Sequence, residues 1–177
     1  MAPYNRPMPE APLRFALPDA GATDALGVGL ARSFPGAATG GIVHLRGELG
    51  SGKTTCARSL LHALGVTGTV RSPTYTLVDT YSVSDLTCVH VDLYRLQSAA
   101  EVEELGLRDL TGPGYLMLVE WPEKGGRAVP PADLHLQLQY AGEARTATLG
   151  AGSDVGRGWI SKLAIDTSLA VYVSNIT

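Results

Sequence analysis

Cysteine is nearly absent from this chain of 177 residues: Cys56 and Cys88 are the two present, with no CxxC pair and no cysteine–histidine clustering. That scarcity argues against a disulfide framework and a zinc centre, and predicts a reducing compartment, with the cytoplasm as the default. No apolar stretch approaches the roughly 20 residues that a bilayer-crossing helix needs, so a soluble protein without a membrane partner is expected. Strong charge of either sign is also missing. A net charge of −3 and a pI near 5.8 leave no general attraction to nucleic acid, and any RNA contact would need a local patch or a partner protein. Repeats and low-complexity tracts are absent. The opening MAPYNRPMPEAPL has four prolines in its first twelve residues and no apolar core of a signal peptide, so residues 1–12 read as a disordered lead-in.

What is present begins with GELGSGKT at residues 47–54, a G-x-x-x-x-G-K-[ST] phosphate loop. Its context supports it: the apolar run Ile42-Val43-His44-Leu45 precedes the loop and a helical pattern follows. A short strand delivers the loop, its glycines let successive backbone N–H groups face phosphate oxygens, and the helix turns its positive end toward the same anion. Lys53 would reach the β/γ-phosphates. Thr54 would offer its hydroxyl to a Mg²⁺ that keeps several waters.

With 45% hydrophobic residues, the chain can bury one core and is short for two domains. Leu13–Leu17 alternates like a half-buried strand and Pro18–Gly21 reads as a turn, with Thr23 as the N-cap of a packing helix. On that helix Leu26, Leu30 and Phe34 share one face. Residues 42–46 form the strand before the loop and residues 54–64 the helix after it, ended by Gly65. Residues 70–84 form a loop with extended flanks, in which Pro73 keeps Ser72 out of helical geometry.

Two continuous apolar runs, Cys88–Val91 before Asp92 and Tyr115–Val119 before Glu120, have the length of central strands covered on both faces. Ser98 caps a short helix through Glu104, with Gly106 as its stop. After Pro130-Pro131, Leu134, Leu136 and Leu138 alternate with polar residues in a strand solvated on one face.

In phosphate-loop proteins a carboxylate at the end of a neighbouring strand holds the metal, directly or through water, and another polar group orients the attacking water. Glu120 follows the most hydrophobic run and is the better metal-side carboxylate. Asp92 orders a water or caps the Leu93–Arg95 turn. Arg95 either pairs with Asp92 or meets the transferring phosphoryl group, the ion pair being the commoner arrangement. The Thr74 hydroxyl either touches Mg²⁺ or the γ-phosphate, or stabilises its turn. Trp121 reads as half-buried packing rather than a base platform. His44 and His90 fall within strands, His62 on a helix surface and His135 on a strand, and none has metal-ligand spacing.

Five segments in one order, GELGSGKTT (47–55), SPTYTLV (72–78), HVDLYRL (90–96), EELGLRD (103–109) and LVEWPEK (118–124), resemble the TsaE family of bacterial tRNA threonylcarbamoyladenosine biosynthesis. The resemblance runs from about Leu13 to Gly150 and includes LPDAGATDALG at 17–27. It implies a compact single-domain α/β phosphate-loop NTPase fold, with a mostly parallel central sheet flanked by helices. It also implies weak, partner-dependent, Mg²⁺-requiring ATP hydrolysis. The implied partners are TsaB-like and TsaD-like proteins, the latter transferring threonylcarbamoyl to adenosine 37 of tRNAs reading codons that begin with adenine. The ATP cycle would drive that complex, and tRNA would be met through the complex.

Carried over by motif, Leu49, Gly50, Ser51, Gly52, Lys53, Thr54 and Thr55 bind the nucleotide, Thr54 and Glu120 hold Mg²⁺, and Asp92 serves hydrolysis with Lys53 and Glu120. Asp19 and Glu123 fall where the family places nucleotide contacts, and Thr74 and Trp121 lie beside the site. Adenine preference also rests on the resemblance, since no N/T-K-x-D base-reading segment is present.

The pattern departs after Gly150, where such proteins usually end. Lys162–Ser168, KLAIDTS, looks like the opening strand and turn of a TsaB-like protein, which would make residues 151–177 a fusion stub. An ordinary hairpin pairing Leu163–Ile165 with Ala170–Val173 is the other reading. In function, the alternatives to an ATPase subunit are a nucleotide-dependent binding module without essential hydrolysis, and a small-molecule kinase. The kinase reading is disfavoured by the want of an arginine-rich lid.

Overall fold

A computed structural model describes residues 12–174. The expected lead-in therefore lies almost entirely outside the described residues. Seven strands form one sheet: β1 (Leu13–Leu17), β2 (Gly41–Arg46), β3 (Val78–Val83), β4 (Leu86–Asp92), β5 (Tyr115–Glu120), β6 (Leu134–Ala141) and β7 (Ala144–Ala151). They lie in the order β1-β7-β6-β2-β5-β4-β3. The central four, β6-β2-β5-β4, run parallel, and the edges are closed by antiparallel pairs. Helices α1 (Ala20–Ser33), α2 (Lys53–Ala63) and α4 (Asp154–Ala164) complete one packed layer, and the short α3 (Ala99–Glu104) packs in the other.

The apolar runs explain the placement of the central strands. On β4 and β5, alternate residues feed opposite cores. Cys88, Leu116 and Leu118 face the helical side, while Val89, Val91, Met117 and Val119 face the other. Strand β6 buries Leu134, Leu136 and Leu138 on the helical side only, as its alternation predicts. Helix α3 begins with the expected cap at Ser98 and a reciprocal bond through Glu101, and Gly106 follows with φ +63°.

Helices α1 and α2 cross closely at Gly27. A Cβ there would lie 2.5 Å from the Cys56 carbonyl oxygen and 2.8 Å from Ser59 Cβ, so glycine is required by approach rather than by backbone angle. The crossing sets α1 beside the helix that follows the phosphate loop.

Several expectations differ in place. Helix α1 starts at Ala20, with Asp19 rather than Thr23 as its N-cap: the Asp19 carboxylate accepts from Ala22 N–H at 2.8 Å. Aspartate caps at least as well as threonine, and Asp19 already has the extended backbone that a cap needs, so Thr23 is enclosed in the first turns instead. Residues 78–83 pair with β4 as a full strand, turning through Ser84. Strand β7 has no sequence signal, since ARTATLGA is mostly small and polar; it forms because β1 and β6 pair with it on both sides.

The expected strand at 163–165 is the end of α4, and residues 167–172 form a 3₁₀ turn, so no hairpin joins them. Trp159, Leu163 and Leu169 are spaced to bury together against α1, and burial overrides the local β-like composition. Val173 alone makes a bridge, to Phe15 on β1.

Candidate functional site

The phosphate loop leaves the C-terminal end of β2 and enters α2 through Gly52, whose φ is +106°. Gly47 has φ +141°, and a Cβ there would fall 2.3 Å from the Leu138 carbonyl oxygen, so the loop lies flat against β6. Tyr140 on β6 donates its hydroxyl to the Leu49 carbonyl at 2.8 Å, holding the outer side of the loop. The first helical bond of α2 runs from Cys56 N–H to Gly52, which leaves the N–H groups of residues 53–55 at the helix end as donors for an anion.

Lys53 is 4% exposed and folds back along the loop, donating to the carbonyls of Gly47 at 2.7 Å and Glu48 at 2.8 Å. Its ammonium also lies 4.1 Å from the centre of the Trp121 ring. Burial holds the Lys53 pKa below the usual lysine range, while the carboxylates of Glu120, Asp92 and Glu123 oppose that shift.

The two acids are register partners at the ends of adjacent parallel strands, Asp92 on β4 beside Glu120 on β5, next to the strand that carries the loop. Ligands of open α/β sheets bind at this end of the strands. Thr54 Oγ1 donates to Glu120 Oε1 at 2.9 Å and Oε2 at 3.0 Å, and His90 Nε2 donates to Oε1 at 2.9 Å. Asp92 accepts from Tyr94 N–H at 2.9 Å on Oδ1, and from Thr74 at 3.0 Å and Ser72 on Oδ2. It therefore caps its turn and tethers the SPTY loop at once.

A cleft of about 290 Å³ brings together Leu49, Gly50, Gly52, Lys53, Thr54, Thr55, Thr74, Asp92 and Glu120. Ser72, Tyr94 and Trp121 complete its wall. A second recess of about 160 Å³ lies on the other side of the loop. It contains Asp19 and Ser51, shares Gly50, Gly52 and Thr55 with the cleft, and adds Thr23, Glu143 and Arg145. Glu123 lines neither; it stands beside Arg46, 3.8 Å away. Arg95 makes no ion pair with Asp92 among the described residues, and instead lies 4.0 Å over the Tyr75 ring at the surface.

Sequence reasoning missed Ser72 and His90 as neighbours of the acids. Strand parity was the available signal for His90, which shares a face with Asp92 on β4. Trp121 is half-buried packing as expected, set against the core that holds Val89 and Val119, and it also forms a wall of the cleft, with φ +59° and its ring 5.0 Å from that of Tyr94.

The donor set suits a nucleotide phosphate and a hard divalent cation. Ser51 Oγ is buried in the loop with no partner among the described residues. Thr54 and Glu120 offer oxygen donors, and no cluster of three or more His, Cys, Asp or Glu side chains exists among the described residues. Mg²⁺ takes one or two protein oxygens and keeps its waters, so a larger cage is not needed.

A phosphate loop between β2 and α2, with two carboxylates on the adjacent parallel strands, defines a phosphate-loop nucleotide-binding protein. The family model described as "Threonylcarbamoyl adenosine biosynthesis protein TsaE" matches residues 17–148. Relatives named tRNA threonylcarbamoyladenosine biosynthesis protein TsaE include one from Haemophilus influenzae, 42% identical over 120 residues, 68% of this chain and 76% of the relative. Another, from Synechocystis, is 40% identical over 121 residues, covering 66% and 74%. The crystal structure of Bacillus subtilis YdiB matches with a TM-score of 0.72 at 25% identity, over 90% of this chain and 97% of that one. The chain belongs to the TsaE family.

Proposed function

We propose that this chain is a Mg²⁺-dependent ATPase subunit serving tRNA threonylcarbamoyladenosine formation at adenosine 37 of tRNAs that read codons beginning with adenine. It acts in the cytoplasm with TsaB-like and TsaD-like proteins and meets tRNA through them, consistent with a net charge of −3. The observation that carries the reading is the meeting of Thr54 and Glu120 in the cleft beside the N-terminus of α2.

Lys53 and the backbone N–H groups of Gly50 and residues 52–55 bind the phosphates, Lys53 exchanging its bonds to Gly47 and Glu48 for phosphate oxygens. The Thr54 hydroxyl already donates to Glu120, so its lone pairs are free for a cation, and the two side chains hold Mg²⁺ between them. Held there, the ion would supply positive charge against that developing on the transferring phosphoryl group. Asp92 orients the attacking water once Ser72 and Thr74 release its Oδ2, so the SPTY loop couples nucleotide state to hydrolysis. Asp19 and Ser51 serve the nucleotide from the second recess, and Glu123 from the rim.

A reconstituted threonylcarbamoylation assay tests this. Lys53→Ala or Glu120→Ala stops multiple turnover and leaves the partners' single turnover intact; equal turnover with and without this chain rejects the proposal.

One observation favours a second reading. Both Asp92 oxygens are occupied by donors from its own chain, which suits a binding module whose ATP state regulates assembly. Asp92→Asn separates the two, because a binding module keeps supporting the partners after hydrolysis is lost, whereas the ATPase subunit does not.

A further inference from the structure

We infer that His90 is a positioning residue for Glu120, holding one carboxylate oxygen so that the other is presented to the divalent cation. The inference rests on the proposed role of Glu120 in holding Mg²⁺.

His90 sits on β4 with no exposure to solvent, and Glu120 on β5 is almost as deeply buried. Their side chains meet at 2.9 Å, Nε2 to Oε1. A carboxylate only accepts, so the imidazole carries its proton on Nε2 and donates. The other ring nitrogen, Nδ1, is buried with no partner among the described residues. A buried polar nitrogen without a partner is unfavourable, and an apolar side chain would fill the same space between the strands without it. Among the described residues, the one bond that accounts for a histidine here is the bond to Glu120.

That bond makes the two oxygens of Glu120 unequal. The one Thr54 hydroxyl proton is shared between Oε1 and Oε2, whereas the His90 N–H goes to Oε1 alone. Oε2 accepts from Thr54 alone and keeps one direction free. Glu120 lines the cleft, so Oε2 is the oxygen available to the cation or to a water on it. His90 also fixes the rotation of the carboxylate, because a bond from β4 prevents the side chain from turning about its last torsion. Groups that hydrogen-bond a ligating side chain typically raise metal affinity 10–100-fold by holding it in place.

The test uses the full chain loaded with ADP, with Mn²⁺ as the probe, free and bound metal being counted by electron paramagnetic resonance. His90→Leu is expected to weaken Mn²⁺ binding roughly 10–100-fold. Affinity for ADP in EDTA is expected to stay within about threefold, since no His90 contact reaches the phosphate loop. His90→Gln keeps an N–H donor near the same place and is expected to recover Mn²⁺ binding to within about threefold of the parent.

Unchanged Mn²⁺ binding in His90→Leu, an equal loss of metal-free ADP affinity, or no rescue by His90→Gln overturns the inference. Glu120→Gln run alongside tells the two failures apart. If it also binds Mn²⁺ like the parent, the metal role of Glu120 is wrong; if it binds weakly while His90→Leu does not, only the role of His90 is wrong. Should His90→Leu fail to fold, ¹⁵N spectra of the parent's imidazoles decide: a proton on Nε2 with a bare Nδ1 supports the inference, and a proton on Nδ1 with a bare Nε2 overturns it.

Discussion

The Thr54 hydroxyl donates to both oxygens of Glu120, at 2.9 and 3.0 Å, across 66 residues of chain. The pair joins the first turn of α2 to the end of β5, so the loop and the carboxylate proposed to hold the metal form one unit. Thr54→Val and Glu120→Gln are each expected to lower Mg²⁺-dependent ADP release on the order of 100-fold. The double variant is expected to be little worse than either single one, because groups that act as a unit lose their effect together. Steady-state hydrolysis at saturating ATP, with the partner proteins present, measures this; multiplicative losses would show that the two residues act independently.

Lys53 and Trp121 are linked by the ammonium lying over the indole, and nucleotide binding should pull Lys53 off the ring. Trp121 and Trp159 are the two tryptophans, and Trp159 is buried in the helical-side core and lines neither the cleft nor the second recess. In a Trp159→Phe background, ADP is therefore expected to change the Trp121 emission, and Lys53→Ala is expected to remove most of that response. Calorimetry on the same sample reports binding directly; saturation by ADP with unchanged emission would show that Lys53 stays on the ring.

Trp159 is 1% exposed, lies tilted against the Phe34 ring at 5.2 Å between centroids, and donates its indole N–H to the Leu30 carbonyl at 3.0 Å. Trp159→Ala is expected to cost about 3–5 kcal/mol in urea unfolding. Deleting residues 152–177 should cost at least as much, since Leu163 and Leu169 leave the same cluster. A fused TsaB-like stub would behave differently: truncation would leave the melting temperature and ATP binding unchanged.

Stability should fall on mild acidification through His44. Burial, partly offset by its bond to the Pro130 carbonyl and reinforced by His135 and Arg46, lowers its pKa from 6.5 to about 4. Burial and Arg46 lower that of His135 as well. With folded values below the unfolded one, the unfolded chain binds more protons under pH 6.5, so this stability is present above that value and is lost as pH falls toward 4. For His44 alone the loss at pH 5 is about 2 kcal/mol. Urea unfolding of the parent and His44→Gln at pH 8 and pH 5 checks it; the variant is expected to show the smaller loss, and equal losses would contradict the assignment.

The loop-bearing βα unit was legible because its information is local. The glycine spacing, the apolar run before it and the helical pattern after it all lie within about two dozen residues. Asp92 and Glu120 could be singled out for a similar reason, each standing where an apolar run long enough for a buried strand ends. Ser98 and Gly106 likewise announced the bounds of α3 through capping chemistry.

Strand order and register decided the rest. That Asp92 lies beside Glu120 depends on β4 and β5 being neighbours in register. The His90–Glu120 bond and the Ser72 and Thr74 bonds to Asp92 depend on the same pairing and on how the loop before β3 folds back. Strand β7 has too little apolar content to declare itself and exists through its two neighbours, while α4 takes its form from the face of α1 that it covers. Local spacing was sufficient for the phosphate loop and for candidate acids. Hydrogen-bond partners far apart in the chain are set by packing, and only the folded sheet determines which of them meet.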